Sequence, residues 1–206
     1  MKHNGEDYLL TIWELIESFG NVNEKGVSQR MGISLPSAWE GLHRLEDEGL
    51  INIGRTGISF SQKGYLQAFS VTRAHRITEY FAYSYLEVPW DEVHASVMNL
   101  EHDFSKEMLL TLYRKMGNPT YCPHGNPIYP SMKINEFEAF QAEEGRYHFS
   151  RQTLEDRDFL KKLFNAGSIP GKEVRLERAP DGIYISGENG EIKLTGSMVH
   201  AVRLKF

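Results

Sequence analysis

The segment GNPTYCPHGNPIYP, residues 117–130, holds four of the chain's eight prolines and limits the fold more than any other stretch. A helix cannot run through it, because proline lacks an amide hydrogen and its ring clashes with the preceding turn. It also sits at a change of period. Upstream, apolar residues recur at helical spacing in successive runs; further downstream they alternate at the period of two that marks strands. The expected fold is therefore mainly α with a small β part at the C-terminal end.

Upstream, EDYLLTIWELIESF (6–19) places Tyr8, Ile12, Leu15, Ile16 and Phe19 on one stripe, and Gly20 stops it. Two further helical patterns follow, EKGVSQRMG and SLPSAWEGLHRLEDEGL, joined by a short turn at Gly32 to Ser34. Ser34 reads as an N-cap, Pro36 lies in the first turn, and Gly49 closes the helix. LINIGRTGISFSQKG reads as two short strands about the turn GRTG. Helix, helix-turn-helix and hairpin is the order of a winged helix-turn-helix. GYLQAFSVTRAHRITEYFAYSYL (64–86) reads as one long helix ended near Pro89, and a second helical run extends from Asp91 to about Met116.

Residues 133–144 are polar and weakly patterned and read as a linker. Beyond them, GRYHFSRQ reads as a strand, LEDRDFLKKLFNAG as a short helix capped by Gly167, and KEVRLERA, GIYISG, EIKLTG and HAVRLKF as strands. ENGE, between Ile185 and Ile192, carries the signal of a type I′ hairpin. The expected domains are thus a winged helix-turn-helix over 1–63, a helical domain over 64–132, a linker over 133–144 and a small β-barrel-like domain over 145–206.

Bulk properties narrow the function classes. With 206 residues and 40% hydrophobic content the chain can build a real core, and no run approaches the roughly 18 apolar residues of a membrane span. The start lacks the basic-then-apolar order of a signal peptide, so a cytoplasmic location with no membrane contact is expected. The single cysteine, Cys122, excludes an internal disulfide framework. A net charge of −5 means that any nucleic-acid binding needs a local basic surface or bound cations.

Metal-ligating side chains concentrate in the second helical run. His94, Met98, Glu101 and His102 share an arc of roughly 100°, beside an apolar arc of Val93, Val97, Leu100 and Phe104. The preceding helix carries His75 and Glu79 four residues apart, hence on one face, as two ligands of one ion must be. Either pair alone is what an ordinary solvated helix face carries. Both together, with Asp7 on the first helix, point to a metal centre. A hard carboxylate and a soft thioether in one shell suit Fe(II) or Mn(II) better than Ca(II) or Mg(II). Cys122 and His124 in CPHG offer a further thiolate and imidazole, with Glu79 and an acid from LEDRD as partners to test.

The stretches EDYLLTIWEL, SLPSAWEGLHRLEDEGLI, RAHRITEYF, WDEVHASVMNLEH and NPTYCPHGNPI, in this order and spacing, resemble the diphtheria-toxin-repressor family of iron- or manganese-dependent transcriptional repressors. FLKKLFNAGSIPGKEVRLE resembles the SH3-like domain, similar to the ferrous-transport accessory protein A, that ends many members. The resemblance implies a helical dimerisation domain between the winged helix and an SH3-like β-barrel. It also implies a homodimer that binds double-stranded operator DNA when loaded with metal. It assigns Asp7, Met98, Glu101 and His102 to one site and His75, Glu79 and His94 to a second. A manganese-type alternative joins Glu79 to Cys122, His124 and Asp156. The soft donor Met98 favours Fe2+ as the cofactor, with Mn2+ the alternative.

A helix-turn-helix places its second helix in the major groove. The expected contacting face is Ser34, Pro36, Ser37, Trp39, Glu40 and Arg44, with Arg55 reaching out from the wing; Leu42 and Leu45 are assigned to the core. Trp39 has two readings, as a DNA contact and as a packing residue. Two rival functions follow from the same residues: a redox-sensing transcription factor acting through Cys122, and a non-heme iron enzyme built on His75, Glu79 and His94.

Overall fold

The computed structural model describes residues 4–98 and 100–206, and the side chains of Glu101 and His102 also lie outside the described residues. The chain divides into two compact units, Met1–Arg73 and Ala74–Phe206.

The first unit opens with α1 (Gly5–Phe19), fixed by a capping box. Asn4 Oδ1 accepts from the N–H groups of Glu6 and Asp7 at 2.8 and 3.0 Å, and Asp7 Oδ2 accepts from the Asn4 N–H at 2.8 Å. Left-handed Gly20 ends the helix. α2 (Glu24–Met31) and α3 (Leu35–Asp47) are joined through Gly32, also left-handed. The Ser34 hydroxyl caps α3 by accepting from the Ser37 N–H at 3.2 Å, and Pro36 occupies the first turn, where its missing N–H leaves no bond unmade. α1 and α3 cross closely at Gly41. A Cβ there would lie 2.2 Å from the Tyr8 ring, so this contact depends on glycine.

Leu9, Ile12, Leu42, Leu45 and Ile51 are fully buried. Each such side chain stabilises the unit by about 1.5–3 kcal/mol. β1 (Ile51–Gly54) and β2 (Gly57–Phe60) pair antiparallel from Ile51↔Phe60 to Gly54↔Gly57, leaving Arg55 at the tip of the wing. α4 (Gln62–Tyr85) runs across the division between the units.

In the second unit the expected single helix over 91–116 is three: α5 (Val93–Val97), α6 (Leu100–Asp103) and α7 (Lys106–Lys115). The break before α7 has a local cause. Ser105 adopts extended backbone (φ −64°, ψ 154°) and its side chain accepts from the Met108 N–H, starting a new helix in place of continuing the old one.

The C-terminal strands are β3 (Phe137–Glu138), β4 (Gly145–Gln152), β5 (Glu173–Ala179), β6 (Gly182–Ser186), β7 (Glu191–Leu194) and β8 (Val202–Lys205). They form one antiparallel sheet in the order β3-β8-β4-β5-β6-β7. A register shift between Phe149 and Arg151 bends β4 against β8. α8 (Arg157–Ala166) closes the core with Phe159, Leu160 and Leu163 against Phe149, Leu176, Ile185 and Leu204. This is the small β domain expected from the alternation, standing where the resemblance implies an SH3-like barrel.

Three details depart from expectation or add to it. The β6–β7 hairpin forms, but neither Glu188 nor Asn189 has positive φ, so its turn is not type I′. The turn instead bonds to the end of α8, the Asn189 N–H donating to the Ala166 carbonyl at 3.1 Å. In HAVRLKF, His200 and Ala201 belong to a short helix, α9 (Met198–Ala201), and only Val202–Lys205 is strand. Residues 133–144, assigned to a linker, contribute β3 to the sheet and bury Ala139 and Ala142 in its core.

Candidate metal centre

α4 presents His75 and Glu79 one turn apart on one face, with His75 Nε2 3.2 Å from Glu79 Oε1. α5 adds His94, whose Nδ1 lies 3.0 Å from His75 Nε2 and 3.3 Å from Glu79 Oε1. The proline-rich loop adds Cys122 and His124. The Cys122 N–H donates to the Asn126 carbonyl at 2.8 Å, and the Gly125 N–H to the Cys122 carbonyl at 2.9 Å, closing a tight turn. Gly125 is left-handed, and a Cβ on it would stand 2.4 Å from the Ser150 carbonyl, so the turn lies flat on β4. His124 Nδ1 reaches within 3.3 Å of both Glu79 Oε1 and Glu155 Oε2. Glu155 Oε2 is also 2.6 Å from His94 Nδ1.

Six donors thus converge as two overlapping sets: His75, Glu79, His94 and Glu155; and Glu79, Cys122, His124 and Glu155. In each set the donor atoms lie within 4.8 Å of one another, and every member is buried. Glu79 is 0% exposed, and its Oε2 has no hydrogen-bond partner among the described residues. An ionised carboxylate with an unpartnered oxygen is expensive to bury unless it meets a cation. Ligands about 2.1 Å from one ion stand about 3.0–3.4 Å apart at neighbouring octahedral or tetrahedral positions, and five of the six donor separations above are 3.0–3.3 Å, the sixth, His94 to Glu155, being 2.6 Å. The residues present therefore fit a divalent transition-metal ion.

The electrostatics agree. Burial raises the Glu79 carboxyl, but the His75 and His124 imidazoles outweigh it and hold the group well below the carboxylate range. Burial and Glu79 both raise Glu155, yet His124 and His94 hold it down at about 2. Burial lowers His124, while Glu155 and Glu79 together push it well above its ordinary value. Burial, reinforced by Glu79, pushes the Cys122 thiol up to about 12. His124 Nε2 lies 3.0 Å from the Trp90 carbonyl, which can only accept, so Nε2 carries the hydrogen and Nδ1 faces the acids. Nδ1 is thus set to hold either a proton or a ligand bond.

Two expectations change at this site. Asp156 is not a member of the cluster: it is the N-cap of α8, exposed, its Oδ1 accepting from the Phe159 N–H at 3.0 Å. Glu155, one residue earlier in LEDRD, turns inward instead. The two alternative sets drawn from the sequence are also one cluster sharing Glu79. Met98 caps the C-terminus of α5 and is half-buried. Glu101 and His102, which belong with Asp7 and Met98 in the other expected site, have side chains outside the described residues.

On α3 and the wing, Ser34, Pro36, Ser37, Trp39, Glu40, Arg44 and Arg55 are all exposed. Trp39 is 49% exposed and lies against His43 at 3.9 Å between ring centroids, the rings tilted by 31°, and this exposure removes its reading as a core residue. The sequence reading passed over Leu35, at the start of α3 and 50% exposed.

The geometry also weakens both rival functions. A redox-reactive thiol needs a lowered pKa and access to solvent, whereas Cys122 is buried with a raised one. An iron oxygenase keeps open positions beside its two histidines and one carboxylate, and here Cys122, His124 and Glu155 crowd them.

Among the described residues no helix is long and apolar enough to cross a membrane. Residues 1–56 match the iron-dependent repressor N-terminal DNA-binding domain, and residues 61–130 the iron-dependent repressor metal-binding and dimerisation domain. The chain is 26% identical over 220 residues to the iron-dependent repressor IdeR of Mycobacterium leprae, covering 97% of this chain and 96% of that protein. It is 24% identical over 229 residues to the diphtheria toxin repressor of Corynebacterium jeikeium, covering 97% and 95%. The structure of the manganese regulator SloR superimposes with a TM-score of 0.86 at 26% identity, covering 100% of this chain and 99% of that one. With both of its N-terminal and central domains matched in order, the chain belongs to the iron-dependent repressor family, metal-dependent transcriptional regulators that carry a DNA-binding and a dimerisation domain.

Proposed function

We propose that this regulator binds operator DNA as a homodimer in the cytoplasm when loaded with Fe(II), with Mn(II) the alternative ion. The observation that carries this reading is the buried Glu79 carboxylate, met by three imidazole nitrogens within 3.3 Å and with one oxygen unpartnered among the described residues. His75, Glu79, His94, Cys122, His124 and Glu155 would hold an ion there. Asp7, Met98, Glu101 and His102 would form the second site. Imidazoles, carboxylates and single soft sulfur donors, Cys122 in one site and Met98 in the other, are a borderline set that suits Fe(II). When bound, the ion supplies positive charge that offsets the carboxylates.

An ion at either site offsets the charge of that site's own carboxylates, and in the loaded homodimer the two recognition helices are set at the spacing of successive major grooves. The domain limits 1–63, 64–132 and 145–206 drawn from the sequence belong to the same proposal, with residues 133–144 joined to the last of them through β3. Ser34, Pro36, Ser37, Trp39 and Glu40 would face the groove, Arg44 bases or phosphate, and Arg55 the backbone beside the wing.

Titrating DNA from upstream of the protein's own coding sequence under anaerobic conditions, with Fe(II), Mn(II), Zn(II) or no metal, tests the choice of ion. Tight binding should appear with Fe(II). A response to Zn(II) alone would contradict the assignment. Arg44→Ala should weaken DNA binding by about 1–3 kcal/mol while leaving metal uptake unchanged, as measured by anisotropy and by calorimetry.

A further inference from the structure

A buried amide stands behind the centre without touching its donor face. Asn126 is 1% exposed. Its Nδ2 donates 2.7 Å to Glu155 Oε1 and 2.7 Å to the Gln152 carbonyl, while its Oδ1 accepts from Arg151 Nη1 at 3.2 Å. The amide's orientation is chemically fixed: a carboxylate and a carbonyl can only accept here, and a guanidinium can only donate. Arg151 is itself held by Glu136, Nε to Oε1 at 2.7 Å, and Glu136 Oε2 accepts from the Ser150 hydroxyl at 2.7 Å. The backbone is tied as well, since the Asn126 carbonyl accepts from the Cys122 N–H. One residue therefore braces the Cys122–His124 turn and grips Glu155 from behind.

The two oxygens of Glu155 consequently have different duties. Oε1 is engaged by Asn126, and Oε2 reaches the donor cluster, 2.6 Å from His94 Nδ1 and 3.3 Å from His124 Nδ1. We propose that Asn126 is a positioning residue that keeps Glu155 monodentate, holding down the number of carboxylate oxygens at the centre and so excluding Ca(II). Calcium takes six to eight oxygens and commonly a bidentate carboxylate, whereas Mn(II), Fe(II) and Co(II) accept mixed nitrogen, oxygen and sulfur sets of fewer donors. Partners that orient a ligand from behind commonly change metal affinity by about 10–100-fold when removed. The inference rests on the buried cluster being a metal centre.

The test uses the full chain loaded with Co(II), Mn(II) or Ca(II), with no DNA present. Asn126→Asp keeps the side-chain volume and the Arg151 contact but turns both donations into repulsions; Asn126→Ala frees Glu155 Oε1. Both should weaken Co(II) and Mn(II) binding by about 10–100-fold. Asn126→Ala should also raise Ca(II) affinity relative to Mn(II) and lower the intensity of the Co(II) visible bands, as a second carboxylate oxygen joins the shell. Visible bands and metal preference unchanged from wild type would overturn the proposal. Should neither variant fold, the infrared difference spectrum of metal-loaded against metal-free wild type decides. A wide splitting between the two Glu155 carboxylate stretches supports monodentate binding, and a narrow one overturns it. If wild type takes up no ion at these residues, the metal centre itself fails, and that outcome is distinct from either result for Asn126.

Discussion

Glu79→Gln is expected to abolish high-affinity metal binding while leaving the fold intact. Glu79 belongs to both donor sets, and its Oε1 lies within 3.3 Å of His75, His94 and His124. Glu155, the other carboxylate shared by both sets, is already a donor and has one oxygen bonded to Asn126, so it does not take the place of Glu79. Removing a group that merely orients a ligand commonly changes affinity by about 10–100-fold, so losing a ligand common to both sets should exceed about 100-fold. The amide preserves the shape of the side chain, and thermal melting of the metal-free variant should show that the fold survives. Calorimetric titration with Mn(II) or Co(II) measures the effect. Wild-type affinity in this variant would remove Glu79 from the centre.

The second large effect is on pH. In the metal-free protein His124 is held well above its ordinary value and the Cys122 thiol lies at about 12, so both are protonated at neutral pH. Glu79 and Glu155 are held below the carboxylate range and already ionised. Ligation through His124 Nδ1 and Cys122 Sγ must displace one proton from each, whereas the carboxylates release none. The sign follows directly: metal affinity rises with pH and falls in acid. Two protons per ion correspond to about 100-fold in affinity per pH unit across the neutral range. Calorimetry in buffers of different ionisation enthalpy counts the protons. Fewer than one released per ion would show that Cys122 and His124 do not ligate.

How much of this was legible in the sequence depended on how local each signal was. The recognition helix was readable because Gly32, Ser34 and Pro36 act through their own backbone neighbourhood. His75 and Glu79 were readable because helical spacing alone puts them on one face. The union of the two donor sets was not readable, since it depends on the proline-rich loop lying flat on β4 and on α8 starting beside α5. Glu155 was legible only as one of the acids of LEDRD, and the resemblance singled out Asp156 in its place. Of two adjacent acids, Asp is the favoured N-cap and Glu is not, so Asp156 turns back to the Phe159 N–H and Glu155 is left for the centre. That signal was present in EDRDF. So was the break at Ser105, a serine followed by a new helical turn inside what reads as one run. Asn126 offered no sequence signal, because an amide draws attention only once its three partners are in place.

We propose that metal occupancy at this protein's own donors governs its hold on DNA. By linkage, a coupling of about 1–3 kcal/mol between the sites tightens DNA about 5–150-fold when metal is present, and tightens metal by the same factor when DNA is present. The most direct measurement is fluorescence anisotropy of one labelled upstream duplex against wild type and Glu79→Gln, each in chelator and in saturating Fe(II) or Mn(II) without oxygen. Wild type should bind tightly only with metal, and the variant should bind weakly in both. Equal affinity of wild type in chelator and in metal would contradict the account.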